Sequence, residues 1–193
     1  MTFFEGLRNS LSGLALETLR LRIRGFRDGD EEGLLTLFGD ETTMFMDGDV
    51  PITEKNAEFA RRVELIKSGP LIWFFLENRE NGDFVGFIMM EPAPEGEGRA
   101  VTVGYSLTPA YQRQGCAKEA LLSLFEALKA AGTERVLANI WEKNLPSQKL
   151  VGKLGFFEYG RTEGAHRNPK NGERSANVHF RLDLIHTEQK ESL

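Results

Sequence analysis

The sequence predicts one α+β domain, a mixed and mainly antiparallel sheet flanked by helices. Three observations predict it. The chain has 193 residues, 40% hydrophobic and 27% charged, values for one folded domain rather than a disordered chain. Segments that alternate and segments of helical period follow in the order β-α-α-β-β-β-α-β-α-β-β, with no repeat, low-complexity stretch or interior linker. Asn81-Gly82 sits between two apolar runs, the strongest short hairpin signal.

Residues 1–17 read as an N-terminal extension, with Phe4, Leu7, Leu11 and Leu14 spaced for a short helix lying on the domain. The domain spans 18–184, and 185–193 is a polar, frayed tail. Thr18–Arg24 alternates strictly, a strand with Leu19, Leu21 and Ile23 on one face and Arg20, Arg22 and Arg24 on the other. Asp28 opens a helix, with Glu31 three residues on and Leu34, Leu35 and Phe38 inward. A second helix runs from Thr53 to Lys67, with Phe59, Val63 and Ile66 inward, and stops at Gly69-Pro70. Between them, Gly39–Ile52 reads as a loop. It is acidic (Asp40, Glu41, Asp47, Asp49) yet carries Met44, Phe45 and Met46, and a loop of this length is more often functional than idle.

Leu71–Asn78, Phe84–Met90 and Ala100–Leu107 form a meander, and Trp73, Phe74 and Phe75 read as core. A long helix follows Gly115 to about Ala131, with Leu121, Leu122, Phe125 and Leu128 inward and Gly132 ending it. Then come a strand at Val136–Trp141, a helix at Ser147–Lys153, a strand at Phe156–Gly160, a loop over Thr162–Ser175 and a last strand at Asn177–Leu184.

Composition excludes several roles. The net charge of −5, from 24 basic and 29 acidic residues, argues against a sequence-blind nucleic-acid binder. No apolar run reaches the ~18 residues of a membrane span, and Met1-Thr2-Phe3-Phe4-Glu5 lacks the marks of a secretory leader. Cys116 is the single cysteine, so no intrachain disulfide and no Cys-rich metal site is expected, and the expected compartment is a reducing, cytoplasmic one. His179 and His186 stand too far apart in sequence to suggest a metal pair.

The chemistry lies in Tyr105–Ala120, where a strand ends, a short loop turns and a long helix begins at a glycine. Helix N-termini present unpaired N–H groups and about half a positive charge, and so bind phosphate. Gly115 and Ala117 let an anion approach the backbone, and Arg113 and Lys118 add cations. Neither G-x-x-x-x-G-K-[ST] nor a strand-to-helix G-x-G-x-x-G is present.

Gln112-x-x-Gly115-x-Ala117 resembles the [QR]-x-x-G-x-[GA] pyrophosphate loop of the GNAT N-acetyltransferase superfamily, and Leu107-x-Pro109-x-Tyr111 before it also matches. So do Asn144-x-x-Ser147 and Lys153-Leu154-Gly155-Phe156 downstream, and the order of elements agrees over about residues 18–184. Within the superfamily, Glu17-Thr18-Leu19-Arg20-Leu21-Arg22 and Gly104-Tyr105-Ser106-Leu107 resemble the ribosomal-protein serine/alanine N-acetyltransferases (RimJ/RimL-like). The resemblance implies acetyl-CoA as co-substrate, bound where the parallel strands Ala100–Leu107 and Val136–Trp141 splay. Pantetheine would pair with the backbone of Tyr105, Ser106 and Leu107. The pyrophosphate would lie on the amides of Gln112, Arg113, Gln114, Gly115, Cys116, Ala117 and Lys118, and Asn144 would bond the pantetheine arm.

The resemblance also assigns proton carriers: Ser147 as acid for the departing thiolate and His166 near the branch's acidic base. Ser147 reads equally as an N-cap of its helix, and His166 as an exposed loop histidine. Two positions depart from many GNAT enzymes. Asn139 stands where a glutamate base is frequent and Val151 where a tyrosine acid is frequent. The chemistry itself needs a neutral amine. At pH 7 an α-amine of pKa ~8 costs about 1.4 kcal/mol to deprotonate and a lysine at ~10.4 about 4.6. The tetrahedral oxyanion needs a preorganised donor, for which the N–H near Leu107 is the candidate. Cys116 reads as a small loop filler at the phosphate end rather than a nucleophile.

The expected activity is therefore direct acetyl transfer to a primary amine in a ternary complex, with a peptide N-terminus as acceptor. A small amine (polyamine or aminoglycoside type) and a non-catalytic acyl-CoA-binding module are the alternatives. No metal, nucleic acid or membrane partner is expected, and the assembly is a monomer or homodimer.

Overall fold

The structure, a computed structural model, describes residues 1–185. His186 and the rest of the expected tail lie outside the described residues. In chain order the elements are α1 (Phe3–Ser10), β1 (Leu16–Glu17), β2 (Leu21–Arg24), α2 (Asp30–Gly39), α3 (Glu41–Asp47), α4 (Ala57–Ser68), β3 (Ile72–Asn78), β4 (Phe84–Pro92) and β5 (Ala100–Leu107). After a 3-10 turn at Pro109–Tyr111 come α5 (Cys116–Ala130), β6 (Arg135–Trp141), α6 (Leu145–Lys153), β7 (Phe157–Arg167) and β8 (Arg174–Asp183). The strands form one sheet in the order β1-β2-β3-β4-β5-β6-β8-β7. Every neighbouring pair is antiparallel except β5 and β6. The α+β sheet flanked by helices is the fold that the alternation predicts.

Strand alternation sorts the core onto two faces. On β3, Ile72, Phe74 and Leu76 join α1, α5 and α6 through Phe4, Leu7, Leu121, Leu124, Leu128 and Val151. Phe75 and Trp73 face the other way, toward Leu34, Phe38, Met44 and Phe59 of α2, α3 and α4.

Some elements differ from the sequence reading. Residues 18–20 turn between two strands: the Thr18 hydroxyl accepts the Leu21 N–H at 2.9 Å, and Leu19, expected inside, is 88% exposed. Helix α2 starts two residues late, capped by Gly29, and buries Leu37 where Leu35 was expected. Gly39–Ile52 is only partly a loop, because Glu41–Asp47 within it is a helix. Asp40 accepts the Thr43 N–H at 2.7 Å and so caps α3, which ends at Gly48 in the left-handed region. Helix α4 starts at Ala57 rather than Thr53, because Asn56 supplies its cap. On α5 the inward stripe is Ala117, Ala120, Leu121, Leu124, Phe125 and Leu128, while Leu122 lies 46% exposed. The expected loop Thr162–Ser175 is mostly strand, since β7 and β8 continue to a turn at residues 168–173.

Two features position the site. Strands β5 and β6 pair only at Ala100↔Arg135, Val101↔Val136 and Thr102↔Leu137, and Val103–Leu107 then diverge from β6. The arginines of the first strand are anchors. Arg22 and Arg24 meet Glu77 on β3 at 2.7 and 3.0 Å, Arg27 adds a third contact at 2.5 Å, and Glu77 is 3% exposed. Arg24 also holds Asp30 at the start of α2, at 2.8 Å. Removing one partner of a buried charge pair leaves the others uncompensated. Glu77→Ala is therefore expected to lower unfolding free energy by about 3–5 kcal/mol, read by urea denaturation. A loss below 1 kcal/mol would mean that solvent already satisfies these guanidinium groups.

Candidate active site

The loop after β5 is built for close approach. Arg113 (φ 59°) and Gly115 (φ +83°) both lie in the left-handed region. Such turns make successive N–H groups converge on one point, and the first N–H groups of α5 have no intrahelical acceptor. Gly115 needs its missing Cβ for its conformation rather than for space, since the nearest atom a Cβ would meet is Arg20 Nη2 at 3.5 Å. Arg20 steadies the loop. It donates to the Gln114 carbonyl at 2.9 Å and pairs with Glu119 on α5 at 2.7 Å, while Glu119 also accepts from the Thr18 hydroxyl at 2.6 Å. The Gln112 side chain donates to the Leu107 carbonyl at 2.9 Å and to the Thr43 hydroxyl at 3.1 Å, tying the loop to β5 and α3.

The open edge of β5 continues from this loop. Thr108 N–H donates to Val85 O at 2.9 Å. Antiparallel bonding alternates, so the Leu107 N–H and C=O turn away from β4 toward the splayed side. A cavity of about 520 Å³ joins this edge to the loop. It is lined by Tyr105, Ser106, Leu107, Gln112, Arg113, Gly115, Cys116, Ala117, Lys118, Asn144 and Ser147, so eleven of the sequence-predicted residues meet in one place. Gln114 and His166 do not line it. The sequence reading missed Thr42, Thr43 and Met46 of α3, and Pro146, Lys149, Leu150 and Lys153 of α6. The signal for the lysines was their i, i+4 spacing beside Asn144. The signal for α3 was Asp40 as a cap and Gly48 as a stop. A second depression, of about 700 Å³ along α2 and the 3-10 turn, touches none of the predicted residues.

Asn144, not Ser147, caps α6, with its Oδ1 accepting the Ser147 N–H at 3.2 Å. Ser147 is thereby released from the capping role. Its Oγ lies 2.6 Å from the Tyr105 phenol oxygen, a hydroxyl pair at the mouth of the splay. Cys116 is buried and burial pushes its thiol up, so it stays protonated at neutral pH.

His166 is not a loop residue. It sits on β7 opposite Ser175, 9% exposed, and its ring stacks on Trp141 with centroids 4.3 Å apart. Trp141 in turn meets Phe45 of α3 edge-on at 5.2 Å. The polar edge of the histidine lies under Gly48, where a Cβ would stand 2.6 Å from His166 Cε1. Its Nε2 is buried with no hydrogen-bond partner, and burial pushes the ring's pKa down. Among the described residues no group of three or more His, Cys, Asp or Glu could hold a metal ion, and no helix is long and apolar enough to cross a membrane.

The acetyltransferase (GNAT) domain profile matches residues 20–157, and the chain belongs to that family of N-acetyltransferases. Solved structures share the fold. A GNAT acetyltransferase of Bacillus anthracis superposes with a TM-score of 0.74 at 22% identity, over 89% of this chain and 99% of that one. The ribosomal-protein-S5-alanine acetyltransferase of Vibrio fischeri gives 0.69 at 18%, over 90% and 98%. The spermidine N-acetyltransferase of Vibrio cholerae, in complex with CoA and spermine, gives 0.72 at 14%, over 86% and 97%. At these identities the likeness is one of fold. Comparison with curated proteins gives no match.

The capping assignment has a direct consequence for stability. Asn144→Ala is expected to cost about 1 kcal/mol of unfolding free energy, and Ser147→Ala clearly less. Denaturant midpoints of the two variants check this, and the reverse order would return the cap to Ser147.

Proposed function

We propose that this GNAT enzyme carries acetyl from acetyl-CoA directly to a primary amine in a ternary complex, and that the acceptor is the α-amine of a protein or peptide N-terminus. The observation that carries the reading is the single cavity that runs from the N-terminus of α5 to the splayed edge of β5. Arg113, Lys118, Lys149 and Lys153 line it in a chain of net charge −5. This cationic lining fits the phosphates of CoA. The left-handed turns at Arg113 and Gly115 fit a pyrophosphate against bare backbone. The edge of β5 that diverges from β6 fits the amide groups of pantetheine, which bind as an added strand.

When bound, acetyl-CoA supplies the thioester carbonyl. The residues of this chain do the rest. Gln112 to Lys118 hold the pyrophosphate, and Asn144 turns its amide toward the arm. Ser147 gives its proton to the departing thiolate, Tyr105 returns one across their 2.6 Å contact, and solvent water reprotonates the phenol. A β5 N–H on the splayed edge donates to the thioester oxygen. Leu107 is the candidate from sequence. The Ser147–Tyr105 contact favours a donor nearer Val103, because the sulfur must lie beside Ser147, and leaves the Leu107 N–H to the arm. His166 receives the amine proton, directly or through water, once Gly48 lifts from its ring.

The RimJ/RimL-like branch is supported by Glu17–Arg22 and Gly104–Leu107, and the single buried cysteine suits a cytoplasmic setting. Thiol release from acetyl-CoA with panels of peptides and small amines tests the whole reading. Turnover of peptides supports it, turnover of polyamines or aminoglycosides alone replaces the acceptor, and binding without turnover makes the domain an acyl-CoA-binding module.

The loop assignment predicts that Gly115→Val, which forces a β-branched residue to φ +83°, weakens acetyl-CoA binding at least tenfold. Calorimetry giving wild-type affinity in a folded variant would remove the loop from the site. The proton carriers predict two further results. Ser147→Ala should lower kcat by about 10²–10⁴-fold with acetyl-CoA affinity unchanged. His166 accepts a proton only when neutral, and burial lowers its pKa from the ordinary 6.5. So kcat/KM should fall on an acid limb whose midpoint lies below the ordinary histidine value. That limb should vanish in His166→Ala, and its persistence there would free His166 of the role.

A further inference from the structure

The sheet carries a row of side chains in front of the splay that no part of the proposal so far uses. Glu91 on β4 lies opposite Thr102 on β5, and Thr102 lies opposite Leu137, the last residue of β6 to pair before the strands diverge. One step along, Met89 faces Gly104 on β5, and beyond the gap Asn139 on β6 faces His179 on β8. By alternation these residues point to the face of α2, α3 and α4, opposite to α5 and α6. Gly104 contributes no side chain, and Met89 packs over it, with its Cε 3.2 Å from where a Cβ would stand. Asn139 is exposed on its far rim.

Glu91 is half-buried, and among the described residues no ion pair or side-chain hydrogen bond reaches its carboxyl group. Carboxylates that lose water without gaining a cation are costly, and burial accordingly pushes Glu91 up. Other carboxylates of the molecule are matched: Asp49 with Arg62 at 2.6 Å, Glu41 with Lys170 at 2.6 Å and Asp183 with Arg181 at 2.9 Å. Across the gap, His179 Nδ1 bonds Asn139 Oδ1 at 2.6 Å and His179 Nε2 bonds the Thr162 hydroxyl at 2.7 Å. With its oxygen so engaged, Asn139 has its Nδ2–H groups left to donate.

We infer that Glu91 receives the ammonium group of the acceptor in front of the splay, while Asn139, oriented by His179 and Thr162, donates to the first carbonyl of the same molecule. This deepens the functional reading above and rests on it. The pyrophosphate end lies at Gln112–Lys118, so an arm running back along β5 brings its acyl end toward Thr102, beside Glu91. One unmatched carboxylate and one amide donor suit a molecule with one positive charge and a neighbouring carbonyl, as in a peptide N-terminus. A polyamine would ask for a second unmatched carboxylate. Binding there is a charge-assisted contact in a partly desolvated place, where it is stronger than at an exposed one.

The test uses Ala-Ala-Ala amide, its N-acetylated form and spermidine as probes. Wild-type protein loaded with CoA should bind the free tripeptide amide in calorimetry, and bind the acetylated form at least tenfold more weakly. It should also turn over the tripeptide with higher kcat/KM than spermidine. Glu91→Gln should weaken tripeptide binding and lower its kcat/KM at least tenfold, with acetyl-CoA affinity and Tm unchanged. In the wild type, adding the tripeptide should shift the carbon-13 carboxyl signal of Glu91, and the acetylated form should not, a readout that survives even if the variant folds poorly. Equal binding of the free and acetylated forms, an unmoved Glu91 signal, or a folded Glu91→Gln with wild-type tripeptide kinetics overturns the inference alone. Spermidine as the better substrate, insensitive to Glu91→Gln, does the same. Wild-type protein that binds no acetyl-CoA overturns the functional reading and this inference with it.

Discussion

The divergence of β5 from β6 is the constraint on which the rest of the molecule turns. Two parallel neighbours need a crossover, here α5, and their pairing lasts for three residues before they part. Past Thr102, β5 keeps its bonds to β4 on one side and opens a row of N–H and C=O groups on the other. Backbone polar groups away from water need partners. The protein supplies one itself, the Gln112 amide on the Leu107 carbonyl. A strand edge of this kind is a template for an extended polar ligand. The same geometry sets the direction of α5: a strand that ends at the gap hands the chain to a helix whose positive end faces the gap.

Much of this could be read in the sequence because the signals were local. Periodicity marked nearly every long element, and the turn at Asn81-Gly82 and the stops at Gly69 and Gly132 were chemical rather than positional. The loop proposed to hold phosphate was legible because a left-handed glycine and a helix start must be neighbours in sequence to be neighbours in space. The misreadings were of another kind. Ser147 and Asn144 both satisfy the rules for a cap, and only the position of the Tyr105 phenol across the gap separates them. Residue 166 looked like loop because its strand is irregular: the pairing of β7 with β8 shifts between Thr162 and His166, which breaks the alternation that marks a strand. Glu91 left no trace as a site, since its distinction is the lack of a cation, and that depends on where every other charge goes.

Helix α3 links the two sides of the cleft. Its Thr43 hydroxyl accepts from Gln112 beside the phosphate loop, and Met46 offers its carbonyl to Asn144 at 3.5 Å. At its C-terminal end Gly48 lies over His166, and at its start Glu41 meets Lys170 from the β7–β8 turn, which rests 5.2 Å from the Phe45 ring centroid. So a seven-residue helix read from sequence as an acidic loop touches the loop, the cap of α6 and the buried histidine together. Glu41 at its start and Asp49 just beyond its end are held by Lys170 and Arg62. That is why the charge of this segment said little about the acceptor.

The two faces of the sheet then argue for direct transfer over a covalent enzyme intermediate. The cavity with its cations, Ser147 and Tyr105 opens beside α5 and α6. Glu91, Asn139 and His179 belong to the face of α2, α3 and α4 by strand alternation. A sheet with every strand fully paired would keep the two apart, and the gap beyond Thr102 is where they meet. A nucleophile of the protein's own would have to stand in that gap. Cys116 does not: it lies at the helix end of the cavity, packed into the core among Ala120 and Leu121, with burial holding its thiol protonated. A thiol in that state is a poor nucleophile, and moving it to the gap would unwind the first turn of α5. The place and state of Cys116 therefore support the proposed direct transfer over a path through an acetyl-cysteine.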